Sequence, residues 1–162
     1  MLRTVFLYTF LVTLLVSGCA RSAAPAPAQT PTSAPLKSNL PELSGKWTIH
    51  LTHSGGIMGL LRSMEISSDG KFTVVDERAG KTVNGELSAE NLAKLKKEVA
   101  SSKYMQPIQP DGMVCADCFI YDLAIQGNDE KFAVQLNDIS LPDSGLESLV
   151  DFLRNLIESS LK

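Results

Sequence analysis

Residues 46–67, KWTIHLTHSGGIMGLLRSMEIS, decide the fold of this chain. Apolar and polar residues alternate over 46–52 and again over 63–67, which predicts two strands with one apolar face each. The glycine-rich segment between them predicts a hairpin, since glycine adopts backbone angles that other residues avoid. Hairpin tips are usually polar, whereas this one carries apolar residues. The tip is therefore the leading candidate for a working surface.

The predicted partner-binding tip consists of Ser54, Gly55, Gly56, Ile57, Met58, Gly59, Leu61 and Arg62. Alternation places Arg62 in one row with Met64 and Ile66 on the core face, where an arginine is out of place. Either a bulge shifts the register, or Arg62 lies beyond the edge of the core and faces a partner. The competing expectation is that residues 57–61 pack against the last helix.

The composition is that of a globular protein. The chain has 162 residues, of which 44% are hydrophobic and 20% charged, and its formal net charge is -3. This length favours one folded domain. Because the pI is about 5.4 and no basic patch is visible, a nucleic-acid partner is not expected.

The first forty residues carry the features of an exported protein. Residues 1–18 combine one positive charge with a short apolar run, which is typical of a signal peptide. The run ends in Val16-Ser17-Gly18-Cys19, which resembles a bacterial lipobox and implies acylation of Cys19. We expect a cell-envelope protein held in a lipid bilayer by two or three acyl chains. The alternative is an ordinary signal peptide followed by a stray cysteine, and the sequence does not indicate which membrane is used.

A linker and one folded domain follow. Residues 19–40 are rich in Pro, Ala, Ser and Thr, a composition that predicts an extended tether. In the domain, 41–162, alternation predicts further strands at 71–76, 81–87, 119–125 and 131–136. Leucine spacing predicts a helix at 89–102, capped by Ser88, and a last helix that opens at Pro142. The expected fold is α+β, an antiparallel sheet of about six strands with two helices on one face.

Three interpretations compete for Cys115 and Cys118. Export favours a structural disulfide, because acylation of Cys19 leaves an even pair. A redox-active dithiol needs a helix after its first cysteine, but a strand is predicted there. A zinc site needs two more ligands. His50 and His53, three residues apart on a strand, point to opposite faces and do not easily supply both.

The sequence offers no catalytic motif. It contains no nucleophile elbow, phosphate-binding glycine loop or zinc-protease helix motif. We expect His50 on the solvent face and His53 near the turn, both without a catalytic role. Asp111, Asp117 and Asp122 are a weak calcium pattern, and two of them are expected to be turn formers. No enzyme, metal or cofactor is therefore predicted.

The run from Ser54 to Arg62 after a strand resembles the N-terminal signature of the emfourin family, proteinaceous inhibitors of protealysin. The later element order is also similar, including Leu87-Ser88 at a helix start, a strand beginning Phe119-Ile120-Tyr121-Asp122-Leu123 and a leucine-rich last helix. The resemblance implies an inhibitor that occupies the active-site cleft of thermolysin-like zinc metalloproteases. Its motif positions are Ser54, Gly55, Gly56, Gly59 and Arg62. The alternatives are a non-enzymatic binding module for an envelope partner and a CxxC thiol-disulfide protein.

Overall fold

The computed structural model describes residues 40–107 and 115–162. The predicted signal peptide, the acylated Cys19 and the linker up to residue 39 lie outside the described residues. So does Asp111 of the calcium pattern.

The described ranges form six strands and two α-helices, as the sequence predicts. In chain order these are β1 (Trp47–Gly55), β2 (Leu60–Ser67), β3 (Lys71–Asp76), β4 (Lys81–Glu86), α1 (Ala89–Ser101), β5 (Phe119–Gly127), β6 (Glu130–Asn137) and α2 (Glu147–Leu161). The strands form one open sheet in the order β4-β3-β2-β1-β5-β6, and all neighbours are antiparallel. The predicted α+β fold is confirmed.

One face of the sheet is apolar, and the helices cover it. Trp47, Ile49 and Leu51 of β1 are buried on this face. The register extends the row of Leu51 over all six strands, through Val83, Val74, Met64, Leu51, Leu123 and Val134. α2 lies against β1 to β4 and α1 packs against α2. Neither of these two helices is long and apolar enough to cross a bilayer.

The two helices begin in different ways. Ser88 caps α1 as predicted, since its side-chain oxygen accepts a hydrogen bond from the Asn91 amide at 3.2 Å. The prediction that Pro142 opens the last helix is wrong. Pro142–Ser144 is a separate 3-10 turn, which stops at Gly145 because φ there is 72°. α2 starts only at Glu147, although Leu146 is fully buried as the leucine stripe predicts.

The strands around the tip are longer than predicted. β1 runs on to Gly55 and β2 starts at Leu60, because Gly55 pairs with Leu60 on one side and with Phe119 on the other. His53, Ser54 and Arg62 are therefore strand residues, and the loop itself consists of residues 56–59 alone.

The stability of a variant at Leu51 tests whether β1 lies at the centre of the core. Its side chain is completely buried, so Leu51→Ala leaves a cavity and we expect a loss of about 2–5 kcal/mol in unfolding free energy. Urea denaturation measures it as a lower midpoint at an unchanged m-value.

Leu61→Ala is the matched control, because Leu61 is 42% exposed on the other face of neighbouring β2. Its loss of unfolding free energy should stay below about 1 kcal/mol. Equal losses for the two variants would contradict the assignment of the core face.

Candidate functional site

The hairpin tip presents two large apolar side chains to solvent. Ile57 is 86% exposed and Met58 is 76% exposed. The turn beneath them is closed by a hydrogen bond of 2.8 Å from the Gly59 amide to the Gly56 carbonyl. The expectation that residues 57–61 pack against the last helix is therefore wrong for the turn.

Cys118 and the first residue of β5, Phe119, fix the backbone of the tip. The Gly56 amide donates a hydrogen bond of 3.1 Å to the Cys118 carbonyl. Gly56 has φ of 67°, and a Cβ atom there would come 2.6 Å from the Phe119 ring. Any other residue would be strained by this backbone angle and would require the Phe119 ring to move. The Phe119 ring thus supports the turn from below.

Two further apolar side chains near the tip lie on the uncovered face of the sheet. Leu61 and Ile120 lie on either side of Ser54 in the strand register. Leu61 is 42% exposed and Ile120 is 37% exposed. Sequence reasoning included Leu61 in the tip but missed Ile120, because only the pairing of β1 with β5 brings Ile120 next to Ser54.

Cys115 and Cys118 lie directly before β5, beside the tip. Their Cα atoms are 5.4 Å apart and their sulfur atoms are at bonding distance, the spacing of a disulfide. Oxidation of the pair in the cell stays a prediction. Within residues 40–107 and 115–162, no group of three His, Cys, Asp or Glu side chains comes together to hold a metal ion.

Arg62 belongs to a polar row at the end of the core. The ladders of β2 with β1 and with β3 run through Arg62 without an extra residue, so the bulge explanation is wrong. Arg62 pairs with His53 on one side and with Asp76 on the other. Its Nε atom donates to the Asp76 carboxylate at 2.8 Å. The Ala79 amide, at 3.0 Å, and Arg62 hold the pKa of Asp76 below its usual range.

His53 is a buried member of this row, and it lies near the turn as expected, three residues before Gly56. It is only 3% exposed. Its ring stacks on Tyr121 with centroids 5.1 Å apart and meets Phe119 edge-on at 4.8 Å. Burial, helped by the positive charges of Arg154 and Arg62, lowers the pKa of His53 to about 4. The imidazole is therefore neutral at pH 7.

Asp138, just after β6, connects the polar row to the tip. Its carboxylate accepts hydrogen bonds from the Tyr121 hydroxyl at 2.7 Å and from the Phe119 amide at 2.8 Å. Burial and this bond raise the pKa of Tyr121. The guanidinium of Arg154 lies over the Tyr121 ring, 5.5 Å from its centroid. These contacts hold Phe119, and Phe119 in turn supports Gly56.

A groove separates the tip from the second half of α2. Its volume is about 550 Å3, and it is lined by His53, Gly56, Ile57, Met58, Leu60, Arg62, Asp117, Phe119, Arg154 and Glu158. The sequence-predicted residues Gly56, Ile57, Met58 and Arg62 thus come together here. Ser54 and Leu61 lie on the opposite face of the sheet. The site offers a fixed apolar turn beside two guanidinium groups.

Comparison with known proteins adds no argument about this site. A scan against protein-family models finds no match, and a search of curated proteins finds no significant one.

The depressed pKa of His53 predicts a loss of stability in acid. Between pH 6.5 and about 4 the unfolded chain binds a proton at this imidazole and the folded chain does not. The unfolding free energy should therefore fall as the pH drops through this window. Urea denaturation at several pH values measures the fall. An NMR titration of the ring should show that His53 stays neutral down to about pH 4.

Carboxylates in proteins commonly titrate in the lower part of this window as well. The variant His53→Gln therefore isolates the contribution of the imidazole. Its stability should depend less steeply on pH than that of the wild type. His50→Gln, on the opposite face of the same strand, controls for the loss of a histidine outside the core. A His53 ring that titrates near pH 6.5 would contradict the burial described here.

Proposed function

We propose that this chain is a membrane-tethered inhibitor of thermolysin-like zinc metalloproteases that binds through its hairpin tip. The observation that carries the proposal is the exposed apolar pair Ile57 and Met58 on a turn held by the rest of the domain. The resemblance of residues 54–62 to the emfourin signature supplies the class of target.

The backbone of the tip favours tight binding because its conformation exists before the partner arrives. The turn is closed between Gly56 and Gly59 and is held to the Cys118 carbonyl. A preformed turn loses little conformational entropy on association, so more of the contact free energy appears as affinity. The few residues that dominate an interface are apolar or aromatic groups near its centre. Ile57 and Met58 have the position and the chemistry for that role.

The closed turn also suits an inhibitor better than a substrate. A peptide that adds to a strand edge must be extended to offer its backbone hydrogen-bonding groups. The short bond between Gly56 and Gly59 keeps this segment bent. The apolar side chains can then enter apolar substrate pockets while the backbone stays out of the cleavable conformation.

The N-terminal features support a location for the inhibitor at a membrane surface. An acylated Cys19 would hold the chain at a membrane of the bacterial envelope. A proline-rich linker of the length of 19–40 reaches tens of ångströms at about 3 Å per residue when extended. A tethered inhibitor of this kind would inhibit metalloproteases that reach the envelope surface.

A second function is favoured by the apolar residues beside the tip. Leu61 and Ile120 add exposed apolar surface on the uncovered face of the sheet. This wider patch suits a non-enzymatic module that binds an envelope protein. A thiol-disulfide function of Cys115 and Cys118 is the least supported alternative, since a strand and not a helix follows the pair.

The tip can be tested by inhibition of several thermolysin-like proteases. The wild type should inhibit at least one of them, and Ile57→Asp with Met58→Asp should raise the inhibition constant about 30-fold or more, as loss of an interface hot spot does. The two aspartates place charge where apolar contact is needed.

Met105→Asp is the matched control, because Met105 is 59% exposed in the segment after α1, outside the tip. It should inhibit like the wild type. No inhibition by the wild type, or full inhibition by the tip variant, would contradict the proposal. Capture of an envelope protein that is not a protease, lost in the tip variant, would favour the second function.

The tether is tested by detergent phase separation of cells that express the chain. The wild type should enter the detergent phase because of its acyl chains. Cys19→Ser should move it to the aqueous phase, whereas Ala20→Ser should change nothing. A wild type that stays aqueous would contradict acylation.

A further inference from the structure

The groove between the tip and α2 combines apolar and cationic walls. Ile57, Met58 and Phe119 contribute apolar surface, and Arg62 and Arg154 contribute guanidinium groups. Such pairing of a few polar groups with apolar walls is typical of small-ligand sites. The volume of about 550 Å3 is within the range of such sites.

Two buried nitrogen atoms in the lining have no hydrogen-bond partner within the described part of the chain. They are His53 Nε2 and Arg154 Nε. Buried polar groups are nearly always paired in folded proteins, because an unpaired one keeps the cost of its lost hydration. Both side chains line the groove, and His53 is only 3% exposed. Both atoms are closed to water in the free chain, so an acceptor bound in the groove would satisfy them once the lining side chains shift to admit it.

Arg62 and Arg154 each have N–H groups left over from their ion pairs that could donate to such an acceptor. Arg62 uses Nε for Asp76 at 2.8 Å, and Arg154 uses Nη1 for Asp151 at 3.1 Å. A guanidinium has five N–H donors, so each arginine retains several. Both positive charges are close enough to His53 to lower its pKa. The acceptor site is therefore cationic at its inner end.

The acidic residues of the lining narrow the class of anion. Asp117 and Glu158 also border the groove. A dianion such as phosphate would be repelled by both carboxylates. A singly charged carboxylate is repelled less strongly by them, and its two oxygens match the forked donors of arginine. An apolar group beside the carboxylate would pack on Phe119 and Met58.

We propose that this groove binds a carboxylate attached to an apolar group, as at the C-terminal residue of a peptide. The carboxylate lies between Arg62 and Arg154 and accepts a hydrogen bond from His53 Nε2. The apolar side chain lies against Phe119 and Met58. This site shares Met58 with the proposed protease contact, but its occupation needs no protease and can be measured in the isolated chain.

The experiment is an NMR titration of the full chain, with Cys19→Ser to prevent acylation, using N-acetyl-leucine as the probe. Its carboxylate and side chain match the two walls. We expect shifts of the Gly56 and Phe119 amides and of the His53 ring, with a Kd of the order of millimolar for so small a ligand. N-acetyl-leucinamide, which lacks the charge, should bind at least about tenfold more weakly.

Two variants test the assigned residues. Arg154→Met keeps an apolar stem over Tyr121 and should weaken binding of the acid about tenfold. His53→Gln should weaken it less, since the amide can still donate. Lys97→Met, an exposed cation on α1, is the matched control and should bind like the wild type.

Three results would overturn the proposal. One is the absence of shifts at acid concentrations well above millimolar, and another is equal binding of the acid and the amide. The third is unchanged affinity in a folded Arg154→Met variant. Equal binding would mean that the groove recognises the apolar group alone.

Discussion

The register of β1 with both of its neighbours is the constraint on which the rest of this structure depends. Because β1 pairs continuously with β2 and with β5, each inward position of β1 becomes a row that crosses the sheet. The rows of Ile49 and Leu51 are apolar and lie in the core. The next row carries Asp76, Arg62, His53 and Tyr121. On the side of β2 and β3 the hydrophobic core therefore ends at this row, whereas Tyr121 and its neighbour Leu136 stay in the core. The tip lies just beyond the row.

The polar row couples the core to the tip through few contacts. Lys81, at one end of the row, donates to the Leu161 carbonyl at 2.6 Å and so holds the end of α2. At the other end, Asp138 holds Tyr121 and Phe119. Phe119 lies against Gly56 and fixes the turn. The site and the fold therefore share the same residues.

Sequence alternation was sufficient to predict the six strands, because each has its own period-two pattern, but it did not predict that β5 pairs with β1. The cap of α1 was also local, with Ser88 and Asn91 three residues apart. The polar row was not predictable in this way. Arg62 and Asp76 are 14 residues apart and Tyr121 and Asp138 are 17 apart, so their meeting depends on strand pairing. The one local signal was that His53 continues the alternation of Trp47, Ile49 and Leu51. Because glycines follow it, the strand was predicted to end too early.

The same distinction applies to the site. The exposed pair Ile57 and Met58 followed from glycines and apolar residues in one short segment. The groove needed Phe119 and Arg154, which other elements bring to the tip. The start of α2 was misplaced because Pro142 is a favourable first residue of a helix, whereas the positive φ of Gly145 separates the short turn from α2.

The central claim is that the tip is a preformed recognition surface, and backbone 15N relaxation of the free protein tests it most directly. The account predicts order parameters for Gly56, Ile57, Met58 and Gly59 close to those of the strands, about 0.85. Values below about 0.6 at these four residues would show a turn that orders only when a partner binds, and would contradict the account.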